Sequence, residues 1–310
     1  MVGNGVKETA YRAGSVQNRL QIGVPAIAIR NTLASALRRL RVQIIYSWRH
    51  GRRADLATPR LLTEHVQWRK LYGRDPRHPP LADKICVKDH VAARLGAHWL
   101  VPTLWRGPVL PAHAAWSMPF VVKSRHGCGD IIVVRTPADY RTARRRSVRW
   151  MRTTYGVWLD EWLYGHIPHG LLVEPYIGDG NRLPIDYKLF VFGGRVRFVQ
   201  IHLDRATDHR WIVFDMAWQR VSPATADPDP SRPATLGRMI AAAEALGEDF
   251  DFVRADFYEV AGQALFGELT FYPGSGLEPV NPPALDKAMG EYWSQARETA
   301  GLRPAWRAAS

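Results

Sequence analysis

The segment FVRADFYEVAGQALFGELTFYP (252–273) holds the residues whose types and spacing point most directly to chemistry. With Ala261, Gly262 and Gln263 as the loop of a β-hairpin, pairing is symmetric about Gly262. Asp256 then faces Glu268, Arg254 faces Thr270, and all four project from one side of the sheet. Directly opposed carboxylates repel, since antiparallel neighbours sit about 4.5–5.5 Å apart between Cβ atoms. A divalent cation would reverse that cost. Mg2+ takes one or two carboxylates and fills its octahedron with water and phosphate oxygens, so this pair suits a Mg2+-nucleotide better than an all-protein cage. Arg254 adds a fixed cation for an anion held by the same metal. The plain alternative is a hairpin with acids on its wet face.

A second group lies in VVKSRHGCGD (121–130). Lys123 closes an apolar strand, and Gly127 and Gly129 free the backbone to turn N–H groups toward an anion. No GxxxxGK[ST] follows, which excludes a P-loop. The thiol of Cys128 is read as packed or merely accessible rather than reactive. A third candidate is Glu174 in LLVEPYI (171–177), an apolar strand whose backbone could pair with an adenine edge, or a plain buried strand.

The elements that must position these residues follow from pattern. Residues 61–100 read as two helical stretches separated by GRDPRHPP, the second starting near Asp83 as its N-cap. Residues 119–134 read as strand, glycine loop, strand. DYKLFVFGGRVRFVQIHLD reads as a hairpin about Gly193 and Gly194. SPATADPDPSRPA (222–234) is a proline-rich connection, TLGRMIAAAEALGED a helix, and DKAMGEYWSQARETAG a terminal helix. Helices, then sheet with helix, then sheet with helix, without internal repeats, indicate an α+β protein of several lobes.

Charge is unevenly spread. Lys and Arg number 42 against 29 Asp and Glu, a formal +13, and 11 of those cations against two acids lie in residues 1–60. Within this head Leu33, Leu37, Leu40, Ile44 and Trp48 recur at helical spacing with Arg38, Arg39, Arg41 and Arg49 between them. Such periodicity is first a packing signal, so the expectation is a helix whose apolar stripe packs on its own domain and whose basic face is solvated. The alternatives are an anionic membrane surface, a polyanion or a partner. The run Arg141, Arg144, Arg145, Arg146, Arg149 and Arg152 reads as a second solvated helix face. No stretch is long and apolar enough to span a membrane, and the N-terminus lacks the order of a secretory signal, so a cytoplasmic location is expected, a peripheral position at the inner membrane face being the alternative that the basic head allows. Two cysteines build neither a disulfide framework nor a structural zinc site, and no sequence-specific nucleic-acid module is recognisable.

These pieces, in this order, resemble the ATP-grasp superfamily and closely the TupA-like ATP-grasp family associated with polysaccharide and teichuronopeptide synthesis. The matching stretches run from about residue 63 to 295 and include TEHVQWRKLYGRDPRHPPLADKICVKDHVAARLG, FVVKSRHGCGDIIVV, LLVEPYI, LPIDYKLFVFGGRVRFVQIHLDRATDH, FVRADFYEV and FGELTFYPGSGLEP. The resemblance implies two α+β lobes clasping a nucleotide. The corresponding divisions are a basic extension (1–60), a helical region (61–118), a lid (119–178) and a catalytic lobe (179–310). It implies ATP phosphate contacts from Lys84 and Lys123, and a phosphate-covering loop over His126, Gly127, Cys128 and Gly129, with Cys128 where the family has a serine. It further implies adenine contacts across Glu174, Tyr176 and Ile177, and a ribose contact from Asp186 with Lys188 beside it. Metal ligands Asp256 and Glu268 complete the set, with Thr270 in place of the usual Asn.

The activity so implied is an ATP- and Mg2+-dependent carboxylate–amine ligase working through an acylphosphate, with Lys123 neutralising the transferring phosphoryl group and Arg254 stabilising the oxyanion. Its substrates would be a glycan-linked carboxylate, such as a uronic acid, and an amine, with His202, Arg205 and His209 as candidate readers of acidic groups. Two rivals stand beside it. One is a phosphotransferase acting on a sugar hydroxyl; the other is a basic polyanion-binding protein with a degenerate nucleotide site.

Overall fold

The computed structural model describes residues 24–180, 182–203, 210–225 and 228–299. The chain divides into two compact units, Met1–Leu40 and Arg41–Ser310. In chain order the elements are α1 (Val24–His50), α2 (Leu62–Tyr72), α3 (His78–Ala82), α4 (Cys86–Leu95), β1 (Trp105–Gly107), β2 (Phe120–Ser124), β3 (Ile131–Val134), α5 (Pro137–Trp150), β4 (Leu171–Pro175), β5 (Asp186–Phe192), β6 (Arg195–Leu203), β7 (Arg210–Phe214), α6 (Leu236–Gly247), β8 (Phe252–Val260), β9 (Gln263–Thr270) and α7 (Pro283–Thr299).

The strands form two antiparallel sheets, β1-β4-β2-β3 and β7-β6-β5-β8-β9. The smaller sheet recruits β1 from before residue 119, the start of the expected lid. Its apolar face closes on α5 through Phe120, Val134, Tyr140, Ala143 and Trp150. That helix starts on Thr136, whose hydroxyl accepts from the Asp139 N–H while the Asp139 carboxylate accepts from the Thr136 N–H. Its inner face carries Tyr140, Ala143, Ser147 and Trp150, and the arginines from Arg141 to Arg152 are exposed, as expected of a solvated face.

In the larger sheet every residue of β5 is buried. Its second half, LFVF (189–192), is a continuous apolar run, which suits a central strand covered on both faces, and its first half brings Asp186 and Lys188 as a buried ion pair. α6 packs on β5, β6 and β8, and α7 reaches β5 while pairing with α2. The β5–β6 hairpin turns at Gly193 and Gly194, as the sequence predicts. GRDPRHPP differs from its reading as pure connection. His78, Pro79 and Pro80 open α3, because proline in a first helical turn forfeits an N–H that has no partner there anyway.

α1 requires a correction. The residues that pack are Val42 and Tyr46, both buried, and Ile44 and Trp48 face outward. Two residues turn a helix by about 200°, so the buried pair lies opposite the sequence's apolar stripe. The Tyr46 hydroxyl pairs with the Thr63 hydroxyl at 3.0 Å, Thr63 donates to Asp286 at 2.8 Å, and the helix end is thereby fixed to α2 and α7.

Candidate active site

Between the two sheets lies a cavity of about 340 Å³. Its floor is the β8–β9 hairpin. Arg254 pairs with Thr270 and Asp256 with Glu268, as the sequence predicts, but by a different route. The turn is two residues, Ala261 and Gly262, both at positive φ, and one residue is gained back at a bulge at Gly267, between Asp256 and Phe257 in the register. A regular strand would put positions 266 and 268 on one face. The bulge instead pairs Phe266 with Phe257, their ring centroids 6.0 Å apart, and Glu268 with Asp256, and Phe266 and Glu268 both border the cavity.

On that floor the charges are paired closely. Arg254 holds Asp256 through two bonds of 2.7 Å and donates to the Thr270 hydroxyl at 3.1 Å. Thr270 donates to Glu268 at 3.3 Å. Lys188, on neighbouring β5, donates to Asp256 at 2.6 Å and pairs with Asp186 at 2.6 Å. Burial alone would raise the Asp256 carboxyl; Arg254 and Lys188 outweigh it and hold it below the usual range. Glu268 is the outlying acid, with 41% of its side chain exposed and Arg254 at 3.6 Å.

The roof comes from β2, β4 and the loop between β2 and β3. Lys123 donates to Glu174 at 2.6 Å, and the other oxygen of Glu174 accepts from Lys88 on α4. Burial would raise this carboxyl as well, and the two lysines lower it. The loop is shaped by glycine: a Cβ at Gly127 would sit 2.6 Å from the Asp130 carboxylate and 2.7 Å from the Ser124 hydroxyl, and Gly129 has φ +77°. Lys84 donates to the Gly127 carbonyl. Asp83 accepts from the Ile85 N–H at 2.9 Å at the start of α4 and binds Arg125 at 2.7 and 2.8 Å, which ties the loop to that helix. Cys128 is exposed to solvent on the loop, and the surrounding walls and the nearby Glu268 push its thiol up.

Of the residues singled out by sequence, Lys84, Lys123, Gly127, Cys128, Gly129, Glu174, Tyr176, Ile177, Asp186, Lys188, Asp256 and Glu268 all line this one cavity. Three do not. His126 is buried behind the loop, stacked on His169 with centroids 4.0 Å apart, its ring nitrogens against the Trp150 carbonyl and the Gly170 N–H. Thr270 acts on Arg254 and Glu268 from below. Arg254 belongs instead to the wall of a second, smaller cavity of about 50 Å³, with Gln200, Trp211, Gly276 and Glu278. Gln67 of α2 holds the Pro273–Gly276 turn of that wall by donating to the Ser275 and Gly276 carbonyls, each at 2.9 Å. Arg205 and His209 lie outside the described residues; His202 is on β6, opposite Asp186. Sequence reasoning missed Lys88, Asp130 and Tyr258, which also line the larger cavity.

The lining carries four lysines, Lys84, Lys88, Lys123 and Lys188, against five carboxylates, Asp130, Glu174, Asp186, Asp256 and Glu268. A polyphosphate entering it needs a further cation, and the opposed Asp256 and Glu268 supply the one or two carboxylates that Mg2+ takes alongside phosphate oxygens. Among the described residues no group of three or more His, Cys, Asp or Glu forms a closed metal cage.

A family model described as TupA-like ATPgrasp matches residues 64–294. No curated protein matches the sequence. Among solved structures, the L-amino acid ligase of Bacillus licheniformis is similar at 15% identity and TM-score 0.39, over 64% of this chain and 42% of that one. The ATP complex of the D-alanine–D-alanine ligase of Bacillus anthracis is similar at 15% identity and TM-score 0.43, over 71% and 64%. D-cycloserine synthetase DcsG is similar at 18% identity and TM-score 0.40, over 73% and 72%. The chain therefore spans less than two thirds of the length of the first two ligases.

Proposed function

The chain belongs to the TupA-like ATP-grasp family, and from that premise we propose that it is an ATP-dependent ligase that joins a carboxylate to an amine through an acylphosphate. The observation that carries this reading is the position of Arg254. It is bonded to Asp256, which faces the larger cavity, while its own side chain lines the smaller one. A carboxylate bound in the smaller cavity would thus lie next to the end of a nucleotide held in the larger.

In this reading the adenine rests against Glu174, Tyr176 and Ile177, the ribose reaches Asp186, and the phosphates extend under the Gly127–Gly129 loop toward Lys84 and Lys123. Mg2+ held by Asp256 and Glu268 would supply charge neutralisation for the phosphates. Lys123 and the loop stabilise charge on the transferring group. The substrate carboxylate attacks the γ-phosphorus, ADP leaves, and the amine then displaces phosphate from the acylphosphate while Arg254 faces the oxyanion. The smaller cavity is also lined by Glu278, a carboxylate suited to an incoming ammonium.

The test is phosphate release from ATP and Mg2+ with a panel of uronic acids and amines. Release that requires both a carboxylate and an amine is expected. A stable phosphorylated product formed without amine would assign the site to a phosphotransferase instead.

A further inference from the structure

α1 takes no part in that reaction, and its composition is one-sided. Its 27 residues include five arginines and no Asp or Glu. Its sequence also carries the apolar stripe from Leu33 to Trp48. In the unit that begins at Arg41, Ile44 is 59% and Trp48 79% exposed, and so are two residues of the helical turn Val157–Leu159, Val157 at 59% and Trp158 at 71%. Arg41 fixes the turn to the helix: its guanidinium sits 5.6 Å from the Trp158 ring centroid and makes a two-pronged pair with Asp160. In the preceding unit Leu33, Leu37 and Leu40 are likewise exposed, with Arg38 and Arg39 between them.

Large aliphatic and tryptophan side chains left in water on a helix with five arginines and no acid of its own demand an occupant that is apolar and anionic at once. A soluble polyanion would satisfy the arginines and leave the stripe wet. A second copy would bring two acid-free arginine helices together. An anionic bilayer surface satisfies both: leucine and isoleucine enter the acyl boundary, tryptophans sit at headgroup depth and arginines reach the phosphates. Among the described residues no helix is long and apolar enough to cross a membrane, so the contact is peripheral. We propose that α1 and the Val157–Leu159 turn dock the protein on an anionic phospholipid surface, independently of which reaction the cavity performs.

The experiment is co-sedimentation of the full-length protein with vesicles of phosphatidylcholine, with and without phosphatidylglycerol. Binding is expected only to the anionic vesicles. Ile44→Glu with Trp48→Glu should weaken it at least ~10-fold. Arg38→Glu with Arg39→Glu should weaken it on the order of 100-fold. Both double variants change exposed side chains, and an unaltered melting temperature verifies the fold. Equal binding to neutral vesicles overturns the proposal. So does binding that the arginine variant loses and the apolar variant keeps, which would indicate a polyanion site, or a dimer that the apolar variant dissolves in the absence of any vesicle binding.

Discussion

Of the two opposed carboxylates on the cavity floor, Glu268 is the more open. Asp186 and Asp256 share Lys188, and Glu174 is spanned by Lys88 and Lys123, whereas Glu268 meets the Thr270 hydroxyl and a guanidinium at 3.6 Å. An acid kept short of cations beside a paired partner is a ligand in waiting, and its contribution to folding is small. Glu268→Gln keeps the shape and an acceptor for Thr270, so stability should change by no more than about 0.5 kcal/mol. Turnover should fall by about 10²–10³-fold. A melting curve together with ATP-dependent phosphate release checks both halves, and retained activity would remove Glu268 from the chemistry. This residue was legible in the sequence because the alternation of a strand fixes which side chains share a face. Lys88 was not, because its role depends on which side of α4 turns toward β4, and that is decided by packing between elements far apart in the chain.

At the scale of elements, the β8–β9 hairpin reached the expected catalytic register by two offsetting departures, a turn shorter by one residue and a bulge longer by one. Parity along the strand gave the facing pairs near Asp256; it could not give the bulge. Gly267 is the hinge of that solution. A methyl there would come 3.1 Å from the Asp256 carbonyl and 3.2 Å from the Tyr258 ring. Gly267→Ala should therefore cost about 1 kcal/mol and lower turnover at least ~10-fold by shifting Glu268, measurable by denaturant melts and steady-state kinetics.

α2 and α3 dock through histidines that are buried and neutral. Burial, followed by the nearby Arg297, pushes His65 down to about 3; burial, followed by Arg69, does the same to His78. The unfolded chain takes up these protons near pH 6.5 and the folded chain does not, so it is the unfolded state that gains protons as pH drops. Stability should fall from about pH 6.5 downward toward pH 3, by up to about 1.4 kcal/mol per pH unit for each histidine. His78 stacks on Phe271 at 4.0 Å, so His78→Phe preserves that packing and should flatten the decline of melting temperature between pH 6.5 and 5.

At the scale of the whole molecule, two sheets with a cavity between them were legible because strand, glycine-loop and hairpin patterns recur in a fixed order. The outward turn of Ile44 and Trp48 on α1 was not. Periodicity reports that a helix has two kinds of face, and only the neighbours Thr63 and Asp286, drawn from α2 and α7, determine that Tyr46 rather than Ile44 turns inward. The recruitment of β1 into the smaller sheet was hidden for a related reason: a three-residue strand is too short to carry a period.

The near balance of lysines and carboxylates in the cavity has a kinetic consequence. The chain carries a formal +13, which suggests electrostatic steering of an anionic nucleotide. Yet the walls where it must land hold four cations against five anions, most of them already engaged with one another. There is little focused field to draw the nucleotide in, and its arrival is an exchange of partners at short range. Association measured by stopped flow should run at an unsteered rate of about 10⁵–10⁷ M⁻¹s⁻¹ and respond only weakly to ionic strength, in contrast to the steep salt dependence of steered encounters.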